Sequence, residues 1–566
     1  KEEIMTRTLI IGLDGAPLGL IEQWAAAGDL PHLAGLMARG TYGELRSVMP
    51  VLSSAAWVSF MTGMNPGKHG IYDFVQRDLT TYRRRTVRAG STLSVPTLWQ
   101  LLSQAGQRVG VVNVPMTYPV EAVNGALISG LGTPDYRPFT HPPGLEESLR
   151  AAGYRVNKRT HFAPGNEQAF LDEVNAITDI QAGAALELLG REDWDFFMHV
   201  IRDPDEMGHF FWAASDPTHP AHTPELAAAY GHALRDYYRK IDGWLGRFLA
   251  AVDEETDVIV VSDHGSGPLY KDVSLNEWLR QAGFLHGKSG PSAGSDPKQL
   301  LARLGITRQG ISKLLRRSGL GRVERWIKDL LGEKIEILAE SQRQELSEIV
   351  DWSKTRAYSF GYHGQIYLNL AGREAEGIVL PEQYASLCDE ICAALGSLVD
   401  TADGQPVVSA LYRKEELFHG PHLAWAPDIT VIMRDLAYIT RQGYEFAATP
   451  AGLFATPHTH ETGSHREMGV ILAAGPSFAR QGRSQTPANL IDIAPTVLHL
   501  HGQPVPPEMD GAVLAAWLTD AGLGDGGLSA APATSSGETA AAPAPEWSDE
   551  DEETMMQQLR NLGYVE

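Results

Sequence analysis

The chain has 566 residues, which is enough for several domains or for one large α/β core that carries insertions. Hydrophobic residues make up 43% and charged residues 21% of the chain, average values for a globular protein that exclude collagen-like, coiled-coil and wholly disordered chains. The formal net charge of −23 argues against a protein that coats nucleic acid, because phosphate contacts need clustered Lys and Arg.

Five short apolar runs, rich in Val and Ile, predict buried parallel strands. They cover residues 8–13, 109–114, 195–201, 257–262 and 469–475. Helix-like stretches lie between them, at residues 18–39 with a break at Pro31, 94–106, 167–190 and 224–252. This alternation predicts an α/β fold with a mostly parallel sheet flanked by helices, in which ligands bind at the carboxyl ends of the strands.

Residues 286–350 interrupt this pattern. A Gly/Ser/Pro-rich stretch leads there into short amphipathic helices without a strand signal, so we predict a helical cap inserted between two parts of the core, residues 5–285 and 351–520. Within the cap, residues 298–334 carry ten Lys and Arg against three acids, a local charge of +7. A solvated helix face, guidance of an anionic substrate and contact with an acidic surface all remain open for this basic segment.

The end of the chain changes composition again. Residues 521–546 are rich in Gly, Ala, Pro, Ser and Thr and predict a flexible linker. Residues 547–566 predict a tail helix, with Ser548 as its N-cap and acids in its first turn. Its apolar side chains stand at helical spacing and predict a docking face. They are Met555, Met556, Leu559 and Leu562.

The two cysteines, Cys388 and Cys392, are four residues apart in a helix-like segment, where they suit small buried hydrophobic positions better than a disulfide. Such sparse cysteine usage indicates a reducing compartment. The N-terminal segment lacks a secretory signal pattern, and no apolar run reaches the ~18 residues that a membrane span needs. We therefore expect a cytoplasmic protein without a transmembrane segment.

Aspartate and histidine residues cluster at the predicted strand ends. A single Asp there is commonly a helix cap, and a single His is commonly a hydrogen-bonded core residue. Together, however, buried carboxylates and imidazoles at one sheet edge would repel each other or stay unsatisfied without a cation. Their mixed chemistry suits two divalent ions, with zinc preferred and manganese or magnesium as alternatives. The six residues are Asp14, Asp205, His209, Asp263, His264 and His465.

Ser53 and Ser54 are the candidate nucleophiles. They lie between an extended segment that ends at Pro50 and a predicted helix, so one of them stands at a helix N-terminus, where backbone N–H groups favour an anion. A serine that only caps the helix is the alternative, and the same geometry serves both roles.

Five motifs in chain order resemble the alkaline phosphatase superfamily. Within it, they are similar to the type I phosphodiesterase/nucleotide pyrophosphatase family, in its microbial group of predicted phosphohydrolases and phosphomutases. The resemblance spans about residues 7–510. The motifs are LDGAP (13–17), VLSSAAWVSFMTGMNPGKHGI (51–71), DPDEMGH (203–209), VVSDHGSGP (260–268) and GSHREMG (463–469).

The resemblance implies specific roles for these residues. Asp205, His209 and His465 would hold one metal ion, with His465 preferred over the nearby His458 and His460. The other ion would be held by Asp14, Asp263 and His264, together with the nucleophile's oxygen. Counting back from FMTG places the family's nucleophile on Ser53 rather than on Ser54.

The resemblance also implies cleavage of a phosphodiester or phosphoanhydride bond, of the nucleotide pyrophosphate kind, through a phosphoseryl intermediate. The phosphate-gripping Arg of the monoesterases has no evident match, which favours a diester or pyrophosphate substrate, and the sulfatase signature is absent after Ser53. A phosphomonoesterase or a metal-dependent phosphomutase on the same core is one alternative, and a non-catalytic binding or scaffold protein is another. The expected partner is a small phosphate ester or nucleotide-like substrate, without a stable nucleic-acid complex.

Overall fold

A computed structural model describes residues 6–87, 93, 95–288, 346–440, 452–457, 459–524 and 548–561. The strands are β1 (Arg7–Leu13), β2 (Thr41–Arg46), β3 (Val75–Arg77), β4 (Arg84–Thr86), β5 (Val109–Val114), β6 (Gly125–Ser129), β7 (Thr140–His141), β8 (Phe196–Ile201), β9 (Thr256–Val261), β10 (Gly265–Pro268), β11 (Lys271–Val273), β12 (Ala357–Ser359), β13 (Gln365–Leu368), β14 (Val399–Asp400), β15 (Gln405–Pro406), β16 (Val408–Arg413), β17 (Ile429–Met433), β18 (Tyr438–Thr440), β19 (Phe454–Ala455), β20 (Gly463–Arg466), β21 (Met468–Ala474), β22 (Gly482–Arg483) and β23 (Ala488–Asn489). The described residues form two large β-sheets, three two-stranded sheets (β3-β4, β10-β20 and β14-β15) and the helices packed against them.

Helices lie in some of the connections between these strands and after the last strand. They are α1 (Leu18–Ala26), α2 (Pro31–Arg39), α3 (Ser53–Thr62), α4 (Pro66–His69), α5 (Leu98–Gln104), α6 (Gly144–Ala151), α7 (Glu167–Leu189), α8 (Asp203–Ser215), α9 (Pro224–Tyr230), α10 (Ala233–Ala251), α11 (Leu275–Gln281), α12 (Leu346–Ile349), α13 (Tyr384–Gly396), α14 (Lys414–Leu417), α15 (Ile493–Leu500), α16 (Asp520–Leu523) and α17 (Asp549–Asn561). Short 3₁₀ helices lie at Pro381–Gln383, Arg434–Leu436, Leu490–Asp492 and Ala515–Trp517.

The central sheet has ten strands in the order β22-β2-β21-β9-β1-β8-β5-β6-β7, with β23 beside β2. Strands β9, β1, β8, β5 and β6 are parallel to one another. Side chains of β1 alternate between two hydrophobic cores: Ile10 packs in one of them, and Leu9 and Ile11 pack in the other. The predicted α/β fold with a mostly parallel sheet and helices on both faces is therefore confirmed.

One central strand runs against the predicted direction. The expected strand at residues 469–475 is β21, but it pairs antiparallel with both β9 and β2. A run of buried aliphatic residues does not encode strand direction, which is why the prediction of a parallel strand at this position was wrong. Because β21 is antiparallel, its amino end lies at the edge where the parallel strands have their carboxyl ends.

The stretch predicted as one helix over residues 224–252 forms two helices, α9 and α10. The first ends at Tyr230 and has Gly231 as its C-cap. The position of Gly231 is tightly packed: a Cβ there would lie 2.6 Å from the carbonyl oxygen of Ala227 and 3.2 Å from that of Ala214. The chain therefore turns at a glycine, the residue with the weakest helix propensity after proline.

A second, seven-stranded sheet was not foreseen from the sequence. It has the order β12-β13-β17-β18-β11-β19, with β16 beside β17. Four of its seven strands, β11, β12, β18 and β19, have only two or three residues, which is too short for hydrophobic periodicity to distinguish them from loops. Next to this sheet lies α13, in which Cys388 and Cys392 are both free thiols, as expected.

The predicted cap and linker fall largely outside the described residues, since 289–345, with the basic segment, and 525–547 are not described. The described residues resume at Ser548, the predicted N-cap of the tail helix. Its hydroxyl accepts a hydrogen bond from the Asp551 N–H at 3.2 Å. Helix α17 buries Met555, Met556 and Leu559 in the larger hydrophobic core. Leu562 lies outside the described residues.

His199 on β8 is a buried histidine remote from the sheet edge, and it makes the fold sensitive to acid. Burial lowers its pKa from 6.5 to about 4. The neutral ring is thus favoured in the folded protein. The contribution of His199 to the free energy of unfolding is therefore complete above pH 6.5 and is lost as the pH falls towards 4.

The free energy of unfolding should fall between pH 7 and pH 5 in both proteins. We expect this decrease to be about 2 kcal/mol smaller in His199→Leu than in the unchanged protein. Denaturant titrations at the two pH values measure this difference. His501, whose pKa burial also lowers to about 4, remains in both proteins and contributes equally. An identical pH dependence of the two proteins would contradict the expectation.

Candidate active site

Helix α8 begins directly after β8 and brings the first group of predicted ligands together. Asp205 and His209 lie one turn apart, with 3.3 Å between Asp205 Oδ1 and His209 Nε2. His465 on β20 completes the group, because its Nε2 lies 3.4 Å from Asp205 Oδ1 and 3.2 Å from His209 Nε2. We call Asp205, His209 and His465 the first triad; their ligand atoms all lie within 4.8 Å of one another.

The second triad consists of Asp14, Asp263 and His264, which follow β1 and β9. His264 Nε2 lies 3.6 Å from Asp14 Oδ1 and 3.4 Å from Asp263 Oδ2. The two triads are adjacent, since the rings of His264 and His465 stack with their centroids 3.8 Å apart. All six predicted residues are thus brought to one edge of the central sheet.

Ser53 is the first residue of α3, and its hydroxyl faces the second triad. Its Oγ lies 3.2 Å from Asp14 Oδ1 and 3.1 Å from His264 Nε2. The N-cap position belongs to Leu52, and α3 has no side-chain cap. Ser53 therefore does not cap the helix, because its hydroxyl bonds to the second triad and not to the helix backbone.

Ser54 has a different environment. Its Oγ is buried and forms no hydrogen bond with any residue that the structure describes. Lys68 and His69, further along the same motif, are occupied elsewhere: the Lys68 ammonium donates to the Glu508 carbonyl at 2.6 Å, and His69 Nε2 lies 2.8 Å from Ser59 Oγ.

Backbone carbonyls fix the three imidazoles. The Nδ1 of His209 lies 2.9 Å from the Gly463 carbonyl oxygen, that of His465 lies 2.7 Å from the Val51 oxygen, and that of His264 lies 3.0 Å from the Gly265 oxygen. Since a carbonyl only accepts, each Nδ1 carries the proton, and each Nε2 points to the carboxylates. Metal-binding histidines are held in this way in proteins.

The electrostatics of the triads reflect three buried carboxylates in one place. Burial, and then the neighbouring Asp263 and Asp205, raises the pKa of Asp14 well above its usual range. Burial and Asp205 raise the pKa of Asp263 to about 8. Burial opposes ionisation of Asp205 as well, but His209 and His465 hold the pKa of that carboxyl well below its usual range.

His209 supplies the positive charge opposite Asp205. Burial alone would lower its pKa, but the Asp205 carboxylate raises it to about 10. In the absence of a metal ion, the protonated His209 therefore supplies the positive charge that these donor atoms would otherwise receive from a bound cation. Two sets of oxygen and imidazole nitrogen donors, with their outer nitrogens already tied to carbonyls, fit two divalent ions.

Two features of the site were missed from the sequence. Trp57, one turn along α3 from Ser53, donates its indole N–H to Asp14 Oδ2 at 3.0 Å and so orients the carboxylate; its spacing of four residues from Ser53 was the available signal. Gly15 has a φ of 68°, and a Cβ on it would lie 2.9 Å from the Asp205 backbone. Glycine there allows the loops of the two triads to approach each other.

A largely parallel sheet thus carries two groups of Asp and His beside a hydroxyl at a helix N-terminus. The family model for type I phosphodiesterase/nucleotide pyrophosphatase matches residues 8–452, and the chain belongs to this family. The protein is accordingly a phosphohydrolase enzyme, as the sequence motifs predicted.

The chain is also similar to solved structures of other proteins. Human ectonucleotide pyrophosphatase/phosphodiesterase 5 has 14% sequence identity and a TM-score of 0.49, over 91% of this chain and 100% of that chain. The inactive murine protein in complex with AMP has 14% identity and a TM-score of 0.48 over the same shares. Phosphonoacetate hydrolase from Sinorhizobium meliloti, in complex with phosphonoformate, has 14% identity and a TM-score of 0.48, over 87% of this chain and 94% of that chain.

Proposed function

We propose that the protein is a two-metal phosphohydrolase that cleaves phosphodiester or phosphoanhydride bonds of nucleotide-like substrates, with Ser53 as the nucleophile. The observation that carries the proposal is the position of the Ser53 hydroxyl, within 3.2 Å of both Asp14 and His264 and beside the first triad. The six triad residues would hold two divalent ions, with zinc preferred because oxygen and imidazole donors are combined.

When bound, two such ions supply charge that lowers the pKa of the nucleophile and neutralises the phosphoryl oxygens. The residues of the chain position the phosphate group beside Ser53. Three amides of α3, those of Ser53, Ser54 and Ala55, precede the first helical hydrogen bond, which the Ala56 N–H makes to the Leu52 carbonyl. Such amides at a helix N-terminus bind an anion, so they would hold a phosphate oxygen beside Ser53.

The reaction that this arrangement favours has two steps. Ser53 Oγ gives up its proton and attacks phosphorus, and the bond from phosphorus to the leaving-group oxygen breaks. That oxygen takes up a proton and departs as an alcohol or phosphate, which leaves a phosphoseryl intermediate. A water molecule then attacks the same phosphorus, the Oγ–P bond breaks, and Ser53 recovers its hydroxyl. Trp57 would keep Asp14 in place throughout, through its indole N–H.

Two wider attributes accompany the proposal. No helix of the described residues has the length and apolar character needed to cross a bilayer. The free thiols of Cys388 and Cys392 favour a reducing compartment, so a cytoplasmic location remains our prediction.

A substrate comparison tests the proposed function. The purified chain is loaded in turn with zinc, manganese or magnesium and assayed on bis-p-nitrophenyl phosphate and on p-nitrophenyl phosphate. Preferential cleavage of the diester supports the proposal. Preference for the monoester would instead identify a phosphomonoesterase or phosphomutase, and turnover of neither compound with any ion would favour a binding or scaffold protein.

A further inference from the structure

The first turn of α8 contains three buried acids, and they have different partners. Asp205 lies with His209 and His465 in the first triad. Asp203 and Glu206 instead form hydrogen-bonded ion pairs with one lysine, Lys158, whose ammonium donates to Asp203 Oδ1 and to Glu206 Oε1. The Lys158 side chain has 0% exposure. The acids on either side of Asp205 in the sequence thus pair with a buried lysine, whereas Asp205 lies with the two histidines.

The segment that carries Lys158 is itself anchored at its backbone. Gln181 on α7 donates its amide to the carbonyls of Arg155 at 2.9 Å and Val156 at 3.1 Å. Asn157 donates to the Thr133 carbonyl at 2.9 Å and to Asp135 Oδ1 at 2.8 Å. These bonds anchor the segment directly before Lys158, so its backbone is held in place while its ammonium pairs with the start of α8.

We propose that Lys158 is a positioning residue for the first triad. It holds Asp203 and Glu206 apart from the ion site, so that only Asp205 from this turn of α8 faces His209 and His465. Without the ammonium, two buried carboxylates next to Asp205 would lose the cation that pairs with both of them, and the Thr178 hydroxyl, 3.5 Å from Asp203 Oδ2, carries no charge to replace it. The turn would then rearrange around the two carboxylates. This inference rests on the proposed two-ion site, and it concerns the geometry of one half of that site only.

Zinc binding tests this role without reference to turnover. Metal-free protein is titrated with Zn²⁺ in competition with a chromophoric chelator, for the unchanged chain and for Lys158→Met. We expect two ions per unchanged chain and, in the variant, a loss of 10–100-fold in affinity for one ion only, the range seen when a residue that supports a metal ligand is removed. The other ion should keep its affinity within about threefold.

A matched control separates positioning from general destabilisation. Lys271, on β11 in the second sheet, also forms an ion pair with a buried carboxylate, that of Asp400, whose side chain is 1% exposed. Lys271→Met should lower the melting temperature and leave both zinc affinities unchanged. In a His209→Ala background only the ion of the second triad remains, and adding Lys158→Met there should not alter its affinity.

Other outcomes would overturn the inference. If the unchanged chain binds fewer than two ions, the two-ion site fails and this inference fails with it. If the unchanged chain binds two ions and Lys158→Met leaves both affinities unaltered, or weakens both equally, only the role of Lys158 is refuted. Should Lys158→Met not fold, Glu206→Gln keeps the pair of Lys158 with Asp203; a selective but smaller loss for one ion supports the inference, and no loss refutes it.

Discussion

Replacing Ser53 with alanine is expected to lower kcat for bis-p-nitrophenyl phosphate by about 1,000-fold or more, because loss of a nucleophile removes the covalent route and leaves only binding and charge stabilisation. Both triads remain intact in Ser53→Ala, so the variant should still bind two zinc ions per chain. Steady-state kinetics and a zinc titration measure the two quantities on the same sample.

Ser54→Ala is the matched control for this experiment. The two serines are neighbours on α3, but Ser54 Oγ forms no hydrogen bond with the described residues, whereas Ser53 Oγ approaches Asp14 and His264. We therefore expect the Ser54 variant to keep kcat within about threefold, the scale of minor local rearrangement. Loss of activity in Ser54→Ala with retention in Ser53→Ala would refute the assignment of the nucleophile.

Sequence patterns were sufficient wherever the chemistry is local. Asp205 and His209 are four residues apart on a helix, and Asp14 and Asp263 directly follow strands whose aliphatic composition is unmistakable, so their convergence at one sheet edge could be predicted. His465 was also assigned to this edge from its position before the strand at 469–475, although a parallel strand there would have put its amino end at the opposite edge. The antiparallel direction of β21 is the physical reason that the assignment holds, and it depends on long-range pairing that a buried run of Val, Ile and Leu does not encode.

The parts that could not be predicted depend on contacts between distant segments. Val51, Gly463 and Gly265 orient the imidazoles through backbone carbonyls, which every residue type provides, so no residue letter signals them. Lys158 is separated from Asp203 by 45 positions, and only the fold reveals that they are paired. The short strands of the second sheet carry too few residues for a periodic signal.

Removal of bound divalent ions by a chelator is expected to abolish turnover and to lower the stability of the fold. Without cations the triads place Asp14, Asp205 and Asp263 together in a buried site, and their mutual repulsion adds to burial in raising the pKa of Asp14. An ion that binds only the folded chain stabilises it by about 4 kcal/mol when its free concentration is 1,000 times the Kd. The melting temperature should therefore fall on chelation and recover, with activity, when zinc is restored.

Variants show whether this stabilisation originates at the triads. His465→Ala removes one ligand of the first triad, so its chain should bind one zinc ion tightly instead of two and should gain less stability from added zinc than the unchanged chain. His199→Leu changes a buried histidine in the middle of β8 and should keep the full response. Two results would contradict a site in which the triads hold the ions: retained activity after complete removal of metal, or an equal gain in stability from zinc in His465→Ala and in the unchanged chain. If the charges of the carboxylates were neutralised by protons alone, zinc would not stabilise the fold through the triads.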